Sequence, residues 1–104
     1  MQYTDITEYN ATSFTKASRT IDDIDTIVIH HWGDDNQRFE DVCEFFASGP
    51  GTSAHFVVEA GRCAQLVNIK DIAWHAGNWA ANQRSIGIEC RPEMSPEDFE
   101  TVAQ

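Results

Sequence analysis

Three rhythms of apolar and polar residues run along the chain. Thr26-Ile27-Val28-Ile29-His30-His31 is β-branched and apolar on both faces, which predicts a buried central strand. Phe39, Val42, Cys43 and Phe46 then recur at i, i+3, i+4, i+7, the spacing of a helix with one core face. Gly33-Asp34-Asp35-Asn36 supplies a break with several N-cap candidates before that helix, and Gly49-Pro50-Gly51 stops it. Ala54 to Glu59 alternates, Ala60-Gly61 turns, and Arg62 to Val67 runs extended again, so a β-hairpin is expected.

Asp71 to Asn82 is rich in Trp, Gly and Asn and reads as a long ordered loop. Ser85-Ile86-Gly87-Ile88-Glu89-Cys90 alternates strictly. Ile86, Ile88 and Cys90 are expected on a core, and Ser85, Gly87 and Glu89 facing something polar. Ser95-Pro96-Glu97-Asp98 carries an N-cap, a proline suited to the first helical position and two acids for the helix dipole. Phe99, Val102 and Ala103 continue an apolar stripe, and the chain ends at Gln104 with no stop signal. A longer domain, of which this is the N-terminal part, is therefore expected. Residues 1–24 are polar and irregular and read as an N-terminal arm with one helical turn, leaving 25–104 as part of a single domain.

Composition narrows the partners. Seven Lys and Arg against seventeen Asp and Glu give a net charge of −10. Nucleic acid and anionic membrane surfaces are attracted by clustered cations, so both are excluded as expected partners. Hydrophobic residues at 41% and charged residues at 23% indicate a globular chain. No apolar run approaches a membrane span, and the first residues show no basic and apolar leader pattern. Cys43, Cys63 and Cys90 are widely spaced and odd in number, so they read as small buried hydrophobes.

The candidate chemistry is carried by a few residues. His30 and His31 are adjacent on a strand and point to opposite faces, so at most one can ligate a given ion. Glu89 lies inside an otherwise apolar strand, where a buried carboxylate is costly without a partner. It is either at a solvent-facing surface or in a cleft with a purpose, and Gly87 beside it clears space for a ligand. Trp74-His75-Ala76-Gly77-Asn78-Trp79 places two indoles and an imidazole in one loop, a composition suited to stacking and hydrogen bonding on carbohydrate or peptide.

Four segments occur in an order that is itself informative: Ile27-Val28-Ile29-His30-His31-Trp32-Gly33, Ser53-Ala54-His55-Phe56-Val57-Val58, Ala73-Trp74-His75-Ala76-Gly77 and Ser85-Ile86-Gly87-Ile88-Glu89. Together they resemble the zinc-dependent N-acetylmuramoyl-L-alanine amidases of type 2. That family includes phage endolysins, bacterial muropeptide amidases and the animal peptidoglycan recognition proteins. The resemblance runs from about Ile24 to the chain end and implies an α/β fold, a mixed central β-sheet flanked by helices. It implies a hydrolase that cleaves the amide between N-acetylmuramic acid and L-alanine, with peptidoglycan glycan strand and stem peptide as partners.

By the family pattern His30 is a zinc ligand, His31 is structural or supports the ligand from behind, and His75 lies in the loop lining the substrate cleft; Trp74, Trp79 and Trp32 are expected to bind substrate there as well. Some family members carry a Tyr before the His of the hairpin strand, and others a Glu ending the Ser-Ile-Gly-Ile-Glu strand. With Ala54 at the first place and Glu89 at the second, this sequence matches the Glu branch, which makes Glu89 the expected general base. The family's two further zinc ligands match nothing in these residues, so the 104-residue chain is expected to be inactive by itself. The resemblance also implies a phage or bacterial wall enzyme, made in the cytoplasm and, if phage, released through a holin pore. A non-catalytic peptidoglycan-binding domain is the alternative.

Overall fold

A computed structural model of the chain describes residues 4–33, 37–91, 96 and 101–102. Among these residues the main sheet has five strands: β1 (Thr4–Ile6), β3 (Thr26–His31), β4 (Phe56–Glu59), β5 (Arg62–Gln65) and β7 (Ser85–Cys90). Their order is β1-β5-β4-β7-β3, antiparallel only between β4 and β5. A two-stranded ribbon pairs β2 (Phe14–Thr15) with β6 (Ile72–Ala73). Helix α1 (Phe39–Ala47) and the short α2 (Trp79–Gln83) accompany these strands. The architecture is the mixed α/β sheet with flanking helices that the sequence implies.

Helix α1 forms where the 3.6-residue pattern places it. Glu40 and Asp41 in its first turn favour the positive end of the helix dipole. Its N-cap is Arg38, without a side-chain cap; the candidates Asp34, Asp35 and Asn36 lie outside the described residues. Gly49, at φ +81°, takes the left-handed backbone that ends the helix without strain. Phe39, Val42, Cys43 and Phe46 are buried against Val57, Ala64 and Leu66, forming the core. Each large apolar side chain so buried contributes about 2 kcal/mol. The β4–β5 hairpin also forms as expected, with Gly61 at φ +75° in its turn.

Several expectations change. The strand Thr26–His31 is not central: β3 is the edge of the sheet among the described residues, and Ile27 and Ile29 stand 64% and 55% exposed. A β-branched run signals extended backbone, while its place in the strand order depends on pairings that no local period encodes. On β7 the expected faces are inverted from Ser85 to Glu89, whereas Cys90 is buried as expected. Ser85, Gly87 and Glu89 are buried, whereas Ile86 and Ile88 are half-buried on the other side. Small residues at 85 and 87 let neighbouring segments close over that face. The stretch 1–24 is less irregular than its composition suggests: it holds β1, β2 and the expected helical turn, at Ile21–Asp23. The Asp71–Asn82 loop contains β6 and most of α2.

Cys43 and Cys90 are buried and Cys63 is half-buried, with no disulfide among the described residues. Pro96, Thr101 and Val102 are helical, in line with the expected helix start; Ser95 and Phe99 lie outside the described residues. Buried Thr101 fastens this segment to the hairpin, its Oγ1 accepting from Gly61 N–H at 3.0 Å. No helix among the described residues is long and apolar enough to cross a membrane.

Candidate active site

Strands β3 and β7 run parallel in a register that sets His30 beside Glu89. Register partners in a parallel ladder project to the same face, so both side chains lie on the face covered by α1. Val57 on β4 is the next neighbour of Glu89 across the sheet and is fully buried. Glu89 retains 9% of its surface and has no hydrogen-bond or ion-pair partner among the described residues. Burial disfavours its charged form and pushes its pKa up to about 7. Near neutral pH such a carboxyl is populated in both protonation states, which suits it to take and return a proton.

Glu89 opens into a cleft of about 410 Å³. Trp32, Phe45 and Phe46 give the cleft apolar walls, and His31 and Thr52 add polar ones. The Arg91 guanidinium lies 5.0 Å from the centre of the Trp32 ring and donates to Glu59 at 2.6 Å, which braces that wall. Of the aromatic residues expected at a substrate cleft, the structure brings Trp32 to Glu89. Trp74 and Trp79 are exposed elsewhere and do not line this cleft. Trp74 Nε1 donates to Thr15 Oγ1 at 2.9 Å, and Trp79 begins α2.

His75 also lies outside the cleft lining. Its half-buried ring sits over Gly87, with Nδ1 3.0 Å from His30 Nε2 and Nε2 3.0 Å from Ser85 Oγ. A Cβ at position 87 would fall 2.6 Å from His75 Cγ. The space expected to admit a ligand at Gly87 is therefore filled by an imidazole of the protein. The backbone around His75 is pinned: Asn82 Oδ1 accepts from the N–H groups of His75 and Ala76 at 3.3 and 2.9 Å, and Ser53 Oγ accepts from Trp74 N–H at 3.0 Å. Burial, then the neighbouring His30, push the His75 pKa down to about 4, so it is neutral at pH 7. Burial also lowers that of His30.

His55 is fully buried and satisfied. Its Nδ1 accepts from Gly87 N–H at 3.1 Å, so neutral His55 carries its proton on Nε2 and donates to the Asp71 carbonyl at 2.9 Å. Arg19, which nothing in its polar surroundings singles out in the sequence, clamps the floor of the site. Its Nη1 donates to the carbonyls of Asn82, Gln83 and Ser85, and its Nη2 to that of Ile69. This fastens the N-terminal segment beneath the stretch that carries His75.

A catalytic zinc needs three protein ligands and an open position. Among the described residues no three His, Cys, Asp or Glu side chains converge to hold a metal ion. The residues present therefore do not by themselves fit a zinc site, and His30 is the single candidate ligand that the resemblance assigns.

The sequence profile of the N-acetylmuramoyl-L-alanine amidase family matches residues 20–103. Solved structures share the fold. A mutant endolysin from Bacillus subtilis superposes with a TM-score of 0.69 at 18% identity, over 98% of this chain and 70% of its own. The catalytic domain of XlyA gives 0.66 at 21%, over 85% of this chain and 61% of its own. The Staphylococcus aureus hydrolase AmiA, solved with its ligand, gives 0.73 at 17%, over 95% of this chain and 49% of its own. The chain thus spans between half and about two-thirds of the length of these structures. A search of curated proteins by sequence finds no match.

Proposed function

The chain belongs to the N-acetylmuramoyl-L-alanine amidase family, and from that premise we propose that it is the core of a peptidoglycan hydrolase cutting the amide between N-acetylmuramic acid and L-alanine. The observation that carries this reading is Glu89: a carboxyl without a partner among the described residues, nearly buried, with a pKa raised to about 7, at the base of a cleft beside His30. Hydrolysis of an amide needs a group that removes a proton from water and delivers one to the departing amine. Glu89 takes the water proton as the oxygen attacks the carbonyl carbon. It returns that proton to the alanine nitrogen as the C–N bond breaks. Trp32 and Phe45 offer flat apolar faces for the sugar rings of the glycan strand. The zinc reading is part of the same proposal. His30 would contribute one ligand, and the others would come from outside the described residues.

The test is digestion of purified peptidoglycan, with zinc present, by a protein that carries this chain together with the ligands that its described residues lack, followed by mass analysis of the products. Glycan strands freed of peptide, together with stem peptides bearing a free N-terminal L-alanine, are the expected products, lost by about a hundredfold or more in Glu89→Gln. Binding to peptidoglycan without cleavage, unchanged by Glu89→Gln, would replace this reading with a recognition domain.

A further inference from the structure

We propose that His75, backed by Ser85 and seated in the space left by Gly87, is a positioning residue that fixes the ring of His30 through Nε2 and leaves Nδ1 without a protein contact among the described residues. The inference deepens the amidase reading and rests on it for the role of His30. Its basis is a line of three side chains on the inner face of β3 and β7: Ser85 Oγ, His75 and His30, joined by two contacts of 3.0 Å.

The polarity of that line follows from burial. Ser85 has no exposed surface, and His75 Nε2 is the partner of its hydroxyl oxygen. A buried hydroxyl keeps its hydrogen bonded. The hydroxyl therefore donates to Nε2, and neutral His75 carries its proton on Nδ1. That proton is donated to His30 Nε2, so neutral His30 holds its own proton on Nδ1. The opposite polarity would run from His30 Nε2–H to His75 and from His75 Nε2–H to Ser85, stranding the serine hydrogen. In this tautomer Nδ1 carries a proton and no lone pair, and a ligand that binds through Nδ1 must reverse both hydrogen bonds, so Ser85 is felt at His30 two contacts away.

Two other features belong to the same arrangement. Gly87 is the one residue that admits the His75 ring, since a Cβ there meets three of its ring atoms at 2.6 to 2.8 Å. Asn82 fixes the backbone from which the ring projects. His75 stands outside the cleft lining, which separates it from a substrate-contacting role.

The experiment is long-range ¹H–¹⁵N spectroscopy of the histidine-labelled chain at neutral pH, joined to steady-state kinetics on peptidoglycan. His30 and His75 are each expected as a single Nδ1–H tautomer. In His75→Ala the His30 signals should move to the tautomer mixture of a free imidazole. Gly87→Ala should reproduce that change by displacing the ring. Ser85→Ala removes a single oxygen and should release the same preference, which keeps the test open if a larger change prevents folding. In the kinetics, kcat should fall about ten- to hundredfold with KM within about twofold. An unchanged His30 spectrum in His75→Ala, or a loss confined to KM, would overturn the proposal. If a protein that carries this chain together with the remaining zinc ligands shows no cleavage, the amidase reading fails, and the spectra alone decide the positioning of His30.

Discussion

The two faces of the β3–β7 pair have traded places relative to ordinary sheet chemistry. One face carries half-buried His30 with buried Ser85, Gly87 and Glu89; the other carries Ile27, Ile29, Ile86 and Ile88 and is partly open to solvent. In a sheet built for stability alone the isoleucines would face α1. Here the polar face is closed over by α1, by the His75 ring and by the segment that Arg19 clamps. Taking a carboxyl and two imidazoles out of water changes what they can do, and it shifts all three pKa values toward the neutral forms. Burial of these groups costs the inner face stability, and the outer face leaves apolar surface exposed.

The sharpest way to break this comparison is to remove the charge from the inner face. Glu89→Gln should lower amidase turnover by about a hundredfold or more and should leave the fold at least as stable. The sign of its pH dependence is fixed. The folded-state pKa is raised from 4.5 to about 7, so the protonated form is the one that favours folding. Glu89 leaves stability untouched below pH 4.5, erodes it as pH rises to about 7, and reaches its full penalty above that. The melting temperature of Glu89→Gln relative to wild type should therefore climb across this window and level off beyond it.

Next in size is the clamp beneath the inner face. Arg19→Ala removes a donor from four carbonyls and should cost about 2–3 kcal/mol in chemical unfolding, with activity falling as the His75 segment loosens. Zinc binding probes the same face differently. With His30 as the single candidate ligand, calorimetry on the 104-residue chain should show no saturable one-to-one binding at micromolar zinc. The smallest effect belongs to the outer face. Ile29→Thr should change stability by no more than about 0.5 kcal/mol, because the side chain is more than half exposed.

How much of this was legible in the sequence depended on whether a feature is local. Helix α1, the β4–β5 hairpin and β7 carry enough residues for a period to show, and each forms where its pattern places it. Strands β1, β2 and β6 have three, two and two residues, too few for any period. The edge position of β3 and the inward turn of the Ser-Gly-Glu face depend on which segments pack together, and alternation alone does not say which face is covered. Glu89 and His30 stood out because polar groups interrupt apolar strands. Ser85 and Arg19 did not, since a serine at a strand start and an arginine in a polar stretch are common. Their work comes from long-range contacts: Ser85 reaches His75 ten positions away, and Arg19 reaches Ser85 across sixty-six.

The claim beneath all of this is that burial on β7 has turned Glu89 into an acid–base group near neutrality. A titration of its side-chain carboxyl by ¹³C spectroscopy reads that property without needing substrate or metal. A midpoint at about 7 is the result this structure predicts. A midpoint at the ordinary 4.5 would contradict it and return Glu89 to the role of a solvated surface carboxylate.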